Sequence, residues 1–416
     1  MNKCLVVWPK SETVVHINYH YTQFGEIIDY LQNKLPEQII ALDCDVENKD
    51  IINIIDVNNI TKVIMQVNYE NAQNAFKMCE KIKEYKNIPI LAYGYIPIKL
   101  QGLFLDSKFD VIHVNGDPEI CMLTFIKHYE QNIDVSILKH KLKGAKIIKN
   151  QNFIVTEKGE YILPNEWGFS KKESVPIDVY DKIKGKNRYV LNISRGCPFG
   201  CAHCLVNLSE GRKERRRSIE NVKNAIEQVK NDYKHIKIWA ANFTLKKEYV
   251  DAFCEMMITY FPEITWECST RVDLVKDEQM LSKMYKAGCR KISLGIESLN
   301  SADLIETKNF KIEEIECAIS KIQNCGINVN GLVMVGIPGQ TKEDIIKTFT
   351  FLQNNNVNIR ATVYTPYQDL TEKDGLLGLS KYNRKTFENN NIVGVSEEQL
   401  LQLVKMPGDF KNILKI

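Results

Sequence analysis

Over residues 1–133, short apolar runs alternate with stretches in which apolar residues recur every three or four positions. The runs at 4–8, 39–42, 62–67, 90–92 and 111–114 predict strands. Between the third and fourth, Ala72, Ala75, Phe76, Cys79 and Ile82 share one face of a helix over 70–85. Alternating strands and helices predict a parallel sheet covered on both faces, a small Rossmann-like domain over 1–133. Gly94 and Gly116, each just past a strand end, fall on the edge where such sheets bind ligands. From 134 to 187 the periodicity weakens. There 153–156 and 161–163 flank Glu157-Lys-Gly-Glu160 and predict a hairpin, and Pro164 and Pro176 punctuate an extended linker.

A second series of strand and helix patterns begins at Arg188. Its strands are predicted at 189–193, 236–239, 265–267, 291–294, 329–335 and 361–364. The helices between them carry stripes such as Ile219, Val222, Ile226, Val229 and Ile312, Ile315, Ile319, Ile322. Six consecutive units predict an α/β architecture of partial (β/α)6 barrel type over 188–370, with its chemistry at the strand C-terminal ends. Residues 371–416 form a polar tail and a candidate cover for the substrate site. No fixed internal period is visible.

Composition narrows the class. The 416 residues suit two or three domains. Fifty-five basic against 52 acidic residues leave a net charge of +3, which gives no electrostatic case for nucleic acid. No apolar run approaches the roughly 18 residues of a membrane span, and the N-terminus runs straight into a strand, so a cytoplasmic protein is expected. In that reducing setting the twelve cysteines point to metal binding before disulfides.

The most informative stretch is Cys197-Pro-Phe-Gly-Cys201-Ala-His-Cys204, on the loop directly after the first barrel strand. Three thiolates from one tight loop can bind three irons of a [4Fe–4S] cluster and leave the fourth iron open. A structural zinc would want a fourth protein ligand, and no second Cys-x-x-Cys pair exists to supply it. Cys254, Cys268, Cys289, Cys317 and Cys325 are scattered singly and read as buried apolar cysteine, so one cluster is expected.

This spacing resembles the radical S-adenosylmethionine (SAM) superfamily, whose open iron chelates the amino and carboxylate groups of SAM. Gly295-Ile296-Glu297-Ser298 is similar to the family element that contacts the methionyl amine. Ser269-Thr270-Arg271-Val272-Asp273 looks like its Thr-Arg-x-Asp segment, and Met334-Val335-Gly336-Ile337-Pro338-Gly339 like its glycine motif near the adenine. His203 stands where an aromatic normally flanks the nucleoside. In Arg212-Lys-Glu-Arg-Arg-Arg217, which reads more readily as a solvated loop than as an RNA patch, the resemblance turns Arg215 and Arg217 toward the SAM carboxylate or the substrate. Arg271 could also simply pair with Asp273, and Thr341 reads as a helix N-cap before Glu343 and Asp344. No catalytic residue beyond the cluster ligands is assigned.

The layout resembles the branch of this superfamily with an N-terminal cobalamin-binding domain, whose late strand, glycine and glutamate are matched by Phe109 through Gly116 to Glu119. Several positions depart from it. The Asp-x-His-x-x-Gly signature is missing, which leaves base-off cobalamin without a histidine from that motif, or a domain kept for packing. His16 and His20, after the first strand, are the candidate cobalamin-edge histidines beside Gly94 and Gly116. Ala240-Ala241-Asn242-Phe243-Thr244 and Thr365-Pro-Tyr367-Gln-Asp depart from the branch near the substrate. Three readings stay open: cobalamin-dependent methyl transfer to a small molecule; a cobalamin-independent dehydratase, epimerase or cyclase acting on a hydroxyl-rich molecule; and a non-catalytic iron–sulfur or zinc module. The family's electron donor is flavodoxin or ferredoxin.

Overall fold

The computed structural model describes residues 3–12, 21–130, 133–184, 188–201, 203–300, 310–365, 367–380, 392 and 394–416. His16 and His20 lie outside the described residues. The chain divides into two compact units, one of residues 1–186 with 207–211 and 369–382, the other of 187–206, 212–368 and 383–416. No helix among the described residues is long and apolar enough to cross a membrane.

In the first unit, β1 (Lys3–Trp8), β2 (Ile39–Asp43), β3 (Ile60–Gln66), β4 (Ile90–Tyr93) and β5 (Val111–His113) are parallel, in the order β2-β1-β3-β4-β5. Leu5, Val6, Val7, Val63, Ile64 and Met65 are completely buried, as continuous apolar runs must be when helices cover both faces of a sheet. Strand order reverses between β1 and β3, so a ligand crevice is expected at their C-terminal ends.

The hairpin of this unit differs from the one the sequence predicts. β6 (Ala145–Lys149) pairs antiparallel with β5 and with β7 (Asn152–Val155). Its turn is Asn150–Gln151, both left-handed at φ 52° and 57°. A two-residue turn of this hand suits strand twist and accepts Asn readily, without the glycine that drew attention to 157–160. Nor do residues 134–186 stand apart as a linker. Beyond β7 they run from the end of β5 along helix Tyr21–Lys34 to the end of β2. Asp117 accepts from the Ile162 amide (2.9 Å), Asp29 accepts from the Phe169 amide (2.9 Å) and pairs with Lys171 (2.8 Å), and Tyr180 donates to Asp43 (2.5 Å).

His113, at the end of β5, is 2% exposed, and burial pushes its imidazole down to about 4. A neutral buried histidine stabilises the fold fully above its unfolded pKa near 6.5 and loses that contribution as pH falls toward 4. The loss is about 3 kcal/mol. Denaturant unfolding of the full chain between pH 7.5 and 4 should therefore show a steeper acid loss for the wild type than for His113→Asn. Parallel curves would refute the assignment.

In the second unit β8 (Tyr189–Asn192) is followed by a two-stranded ribbon of β9 (Ser194–Arg195) and β10 (Arg215–Arg216). Then come β11 (His235–Trp239), β12 (Thr265–Arg271), β13 (Cys289–Glu297), β14 (Asn328–Val335) and β15 (Asn358–Val363). The six long strands are parallel in sequential order, β8-β11-β12-β13-β14-β15, and β8 and β15 do not pair with each other among the described residues. This is an open (β/α)6 barrel, as expected. Ile236, Ile238, Trp266, Cys268, Ile292, Leu294, Val329 and Val333 bury one face beneath the helices. Phe243, Phe253 and Trp266 interlock on that side with ring centroids 5.0–5.2 Å apart. Alternate positions face the other way.

Helix Glu397–Lys405 buries Leu400 and Leu403 and packs on β15, and Phe410 meets Phe349 of helix Lys342–Asn354 at 5.4 Å. It shields the barrel's edge strand, which would otherwise offer unpaired backbone groups to a neighbour.

Candidate functional site

Cys197, Cys201 and Cys204 lie on the loop that leaves β9 and returns at β10. The ribbon pins both ends, Arg195 standing opposite Arg215 and Ser194 opposite Arg216. Cys197 is buried, while Cys201 and Cys204 are half-buried, and none of the three is in a disulfide. The Cys204 amide donates to the Cys201 carbonyl at 3.1 Å, a tight turn that includes the half-buried His203. Burial raises the Cys197 thiol above its ordinary value. Among the described residues no three His, Cys, Asp or Glu side chains converge on one point, as a mononuclear ion requires. A [4Fe–4S] cluster takes one thiolate per iron, and the donor set of three cysteines on one loop fits it.

Two side chains that reach these sulfurs come from neighbouring strands. Asn242, buried after β11, donates to Cys197 Sγ at 3.4 Å. Arg271, at the end of β12, approaches Cys201 Sγ at 3.8 Å and stacks over Phe199 at 4.0 Å, while its fork grips Asp273 at 2.9 and 3.1 Å. Arg271 therefore does both things, pairing with Asp273 and holding the cysteine loop. Hydrogen bonds to sulfur tune a cluster's potential, which makes Asn242 a candidate site position where the sequence showed only a departure from the family pattern.

In the basic run Arg212 and Lys213 are exposed, whereas Arg217 is fully buried, its Nε donating to the Asn192 carbonyl at 2.9 Å and its Nη1 to Asn221 at 3.0 Å. Arg216 donates to the carbonyls of Asn242 and Phe243 at 2.8 and 3.0 Å and stacks on Tyr249. These guanidiniums tie the cysteine loop's return to the ends of β8 and β11.

Glu297 closes β13 with φ 65° and is 6% exposed. It is the one buried non-glycine in the left-handed region among the described residues. Such strain persists where the surroundings impose it, commonly at ligand sites. Gly295 lies opposite Arg271, and Ser269 opposite Ser293, on the same sheet. After β14, Gln340 staples the turn by accepting from the Gly336 amide (2.9 Å) and donating to the Met334 carbonyl (3.2 Å), with Pro338 exposed at its tip. Thr341 caps the next helix in a capping box with Asp344, as its sequence context implies.

In the first unit, Gly94 (φ 117°) and Gly116 (φ 82°) are both demanded by the chain's own backbone. A Cβ on Gly94 would stand 2.6 Å from the Val67 carbonyl, and one on Gly116 2.7 Å from that of Glu160. What points to a ligand at this edge is instead a pair of orphaned polar atoms. Tyr93 Oη and His113 Nε2, at the ends of β4 and β5, are buried without hydrogen-bond partners. Those residues fit a polar group bound at the sheet's C-terminal edge.

Residues 191–352 match the radical SAM superfamily model. The chain is 28% identical over 198 residues to an uncharacterized methyltransferase of Pyrococcus horikoshii, covering 46% of this chain and 42% of that protein. It is 27% identical over 292 residues to the anaerobic magnesium-protoporphyrin IX monomethyl ester cyclase of Cereibacter sphaeroides, covering 66% and 47%. It thus spans less than half the length of these relatives. In fold it is similar to the radical SAM methyltransferase TsrM from Kitasatospora setae, solved with cobalamin and a [4Fe–4S] cluster bound. The TM-score is 0.68, at 12% identity, over 88% of this chain and 77% of that one. The three thiols on the loop after β9, the open barrel and the family match together identify residues 191–352 as a radical SAM domain, a family whose cofactors are a [4Fe–4S] cluster and SAM, and the fold of the chain is similar to that of a cobalamin-binding member.

Proposed function

We propose that this chain cleaves SAM reductively at a cluster held by Cys197, Cys201 and Cys204, and directs the outcome to methyl transfer onto a small molecule with cobalamin on the N-terminal domain. The observation that carries the reading is the pinned loop of three cysteines outside any disulfide, with Arg271 on the second sulfur. When bound, the cluster and SAM supply a hydrogen-abstracting radical, and cobalamin supplies the methyl group. The residues of the chain position and enclose. Glu297 offers a buried carboxylate for the SAM ammonium group, Gly295 and Ser269 line the same sheet, and the turn at Gly336 and Pro338 offers backbone to the nucleoside, with His203 on the opposite loop. Asn242 and Arg271 orient the sulfurs. For cobalamin, Tyr93 and His113 supply polar atoms at the edge beside Gly94.

A cobalamin-independent reading is favoured by one feature, the closure of Gly116 by the Glu160 backbone. Anaerobically reconstituted protein incubated with hydroxocobalamin and desalted separates the two. Retained cobalamin absorption near one equivalent supports methyl transfer, and iron–sulfur absorption alone supports a dehydratase, epimerase or cyclase. Failure to form 5′-deoxyadenosine from SAM with a strong reductant would overturn both.

A further inference from the structure

We propose that the helix-free face of the barrel, below the cysteine loop, holds an anionic group of the substrate, a carboxylate or phosphate, on Lys237 with Trp239 beside it. This rests on the proposed function and names its substrate class. Lys237, Glu267 and Lys291 stand side by side in register on β11, β12 and β13, so their side chains share one face. Arg188 reaches across β11 to Glu267 at 2.7 Å, Lys291 approaches it at 3.2 Å and His235 at 3.7 Å. Glu267 is 4% exposed. Burial alone would raise its carboxyl, but His235, Arg188 and Lys291 outweigh that and bring it down to about 2. This single carboxylate is thus taken up by three partners.

Lys237 is left over. Its Nζ lies 5.4 Å from the Trp239 ring centroid and has no carboxylate or hydrogen-bond partner among the described residues. Burial, then the charges of Arg360, Arg188 and Lys291, push its ammonium down to about 8. Arg188, Lys291 and His235 therefore crowd one carboxylate on this sheet face, and Lys237, which that same carboxylate attracts only at longer range, adds a further cation beside them. Such crowding of like charge destabilises the empty protein and is relieved by an anion. Trp239, 51% exposed at the end of β11, gives the same space an aromatic wall. Along β12, four residues separate Glu267 from Arg271, which touches the cysteine loop, a rise of about 13 Å.

The test is calorimetric titration of the full-length protein with sulfate and, separately, acetate, beside thermal unfolding. Wild type should bind, and Lys237→Gln should weaken binding at least about tenfold while raising the anion-free Tm, because a repelled cation has gone. Lys237→Arg should restore most of the binding. Tighter sulfate than acetate assigns the site to a phosphate-bearing substrate, and comparable affinities to a carboxylate. Equal anion binding by wild type and Lys237→Gln overturns the inference. Cys201→Ala should bind sulfate as wild type does, since the cations sit on strands and not on the cysteine loop. Sulfate binding by a wild type unable to cleave SAM would therefore sink the proposed function alone, whereas SAM cleavage with Lys237-independent sulfate binding would sink this inference alone.

Discussion

Cys201→Ala is expected to lower 5′-deoxyadenosine formation at least about a thousandfold, the scale on which removing one member of a catalytic unit acts. The barrel should remain folded, with an unchanged far-ultraviolet spectrum and a Tm near that of the cluster-free wild type. The argument is local. Cys201 is a half-buried thiol outside any disulfide, approached by Arg271 at 3.8 Å, so its loss removes a metal ligand and little packing. The loop ends are held independently by β9 and β10. Undiminished cleavage by this variant would remove the cluster assignment, and with it the proposed chemistry.

The second large effect is expected at Glu297. Its carboxylate is 6% exposed at the end of a central barrel strand, and its backbone is left-handed. Glu297→Gln keeps the shape and removes the charge, which should weaken SAM binding about 10- to 100-fold, the worth of a hydrogen bond to a charged group. Glu297→Gly removes the carboxylate and leaves at φ 65° the one residue at ease there. If both variants lose affinity together, the carboxylate carries the effect. If Glu297→Gln binds SAM as wild type does, the proposed contact with the ammonium group is wrong.

Much of this architecture can be read directly from the chain. The barrel strands are legible because their helix-facing positions, such as Ile236, Ile238, Val329 and Val333, must be apolar, and the cysteine triplet because three ligands sit on one loop. The capping box at Thr341 is legible for the same reason, since its partners are three residues apart. What escapes is whatever depends on distant partners. Arg217 reads as one charge in a solvated run, and only the fold brings the Asn192 carbonyl to its guanidinium. Asn242 shows no spacing to Cys197, 45 residues earlier, yet touches its sulfur. Lys237, Glu267 and Lys291 lie on three different strands far apart in the chain, and only the parallel register gathers them. The Asn150–Gln151 turn escaped because it contains no glycine.

The ribbon of β9 and β10 has a consequence for how the enzyme is matured and repaired. A free loop spanning 196–214 would lose roughly 2–3 kcal/mol of chain entropy on closing around a metal centre. Here the barrel meets that cost when it folds, because Arg216 and Arg217 fasten the returning strand to carbonyls at the ends of β8 and β11. Iron lost to oxygen would leave the scaffold standing, and a scavenging or delivery system would meet a receptacle already shaped. Unlike small domains that exist only with their metal, this protein can cycle between empty and loaded forms without passing through the unfolded chain.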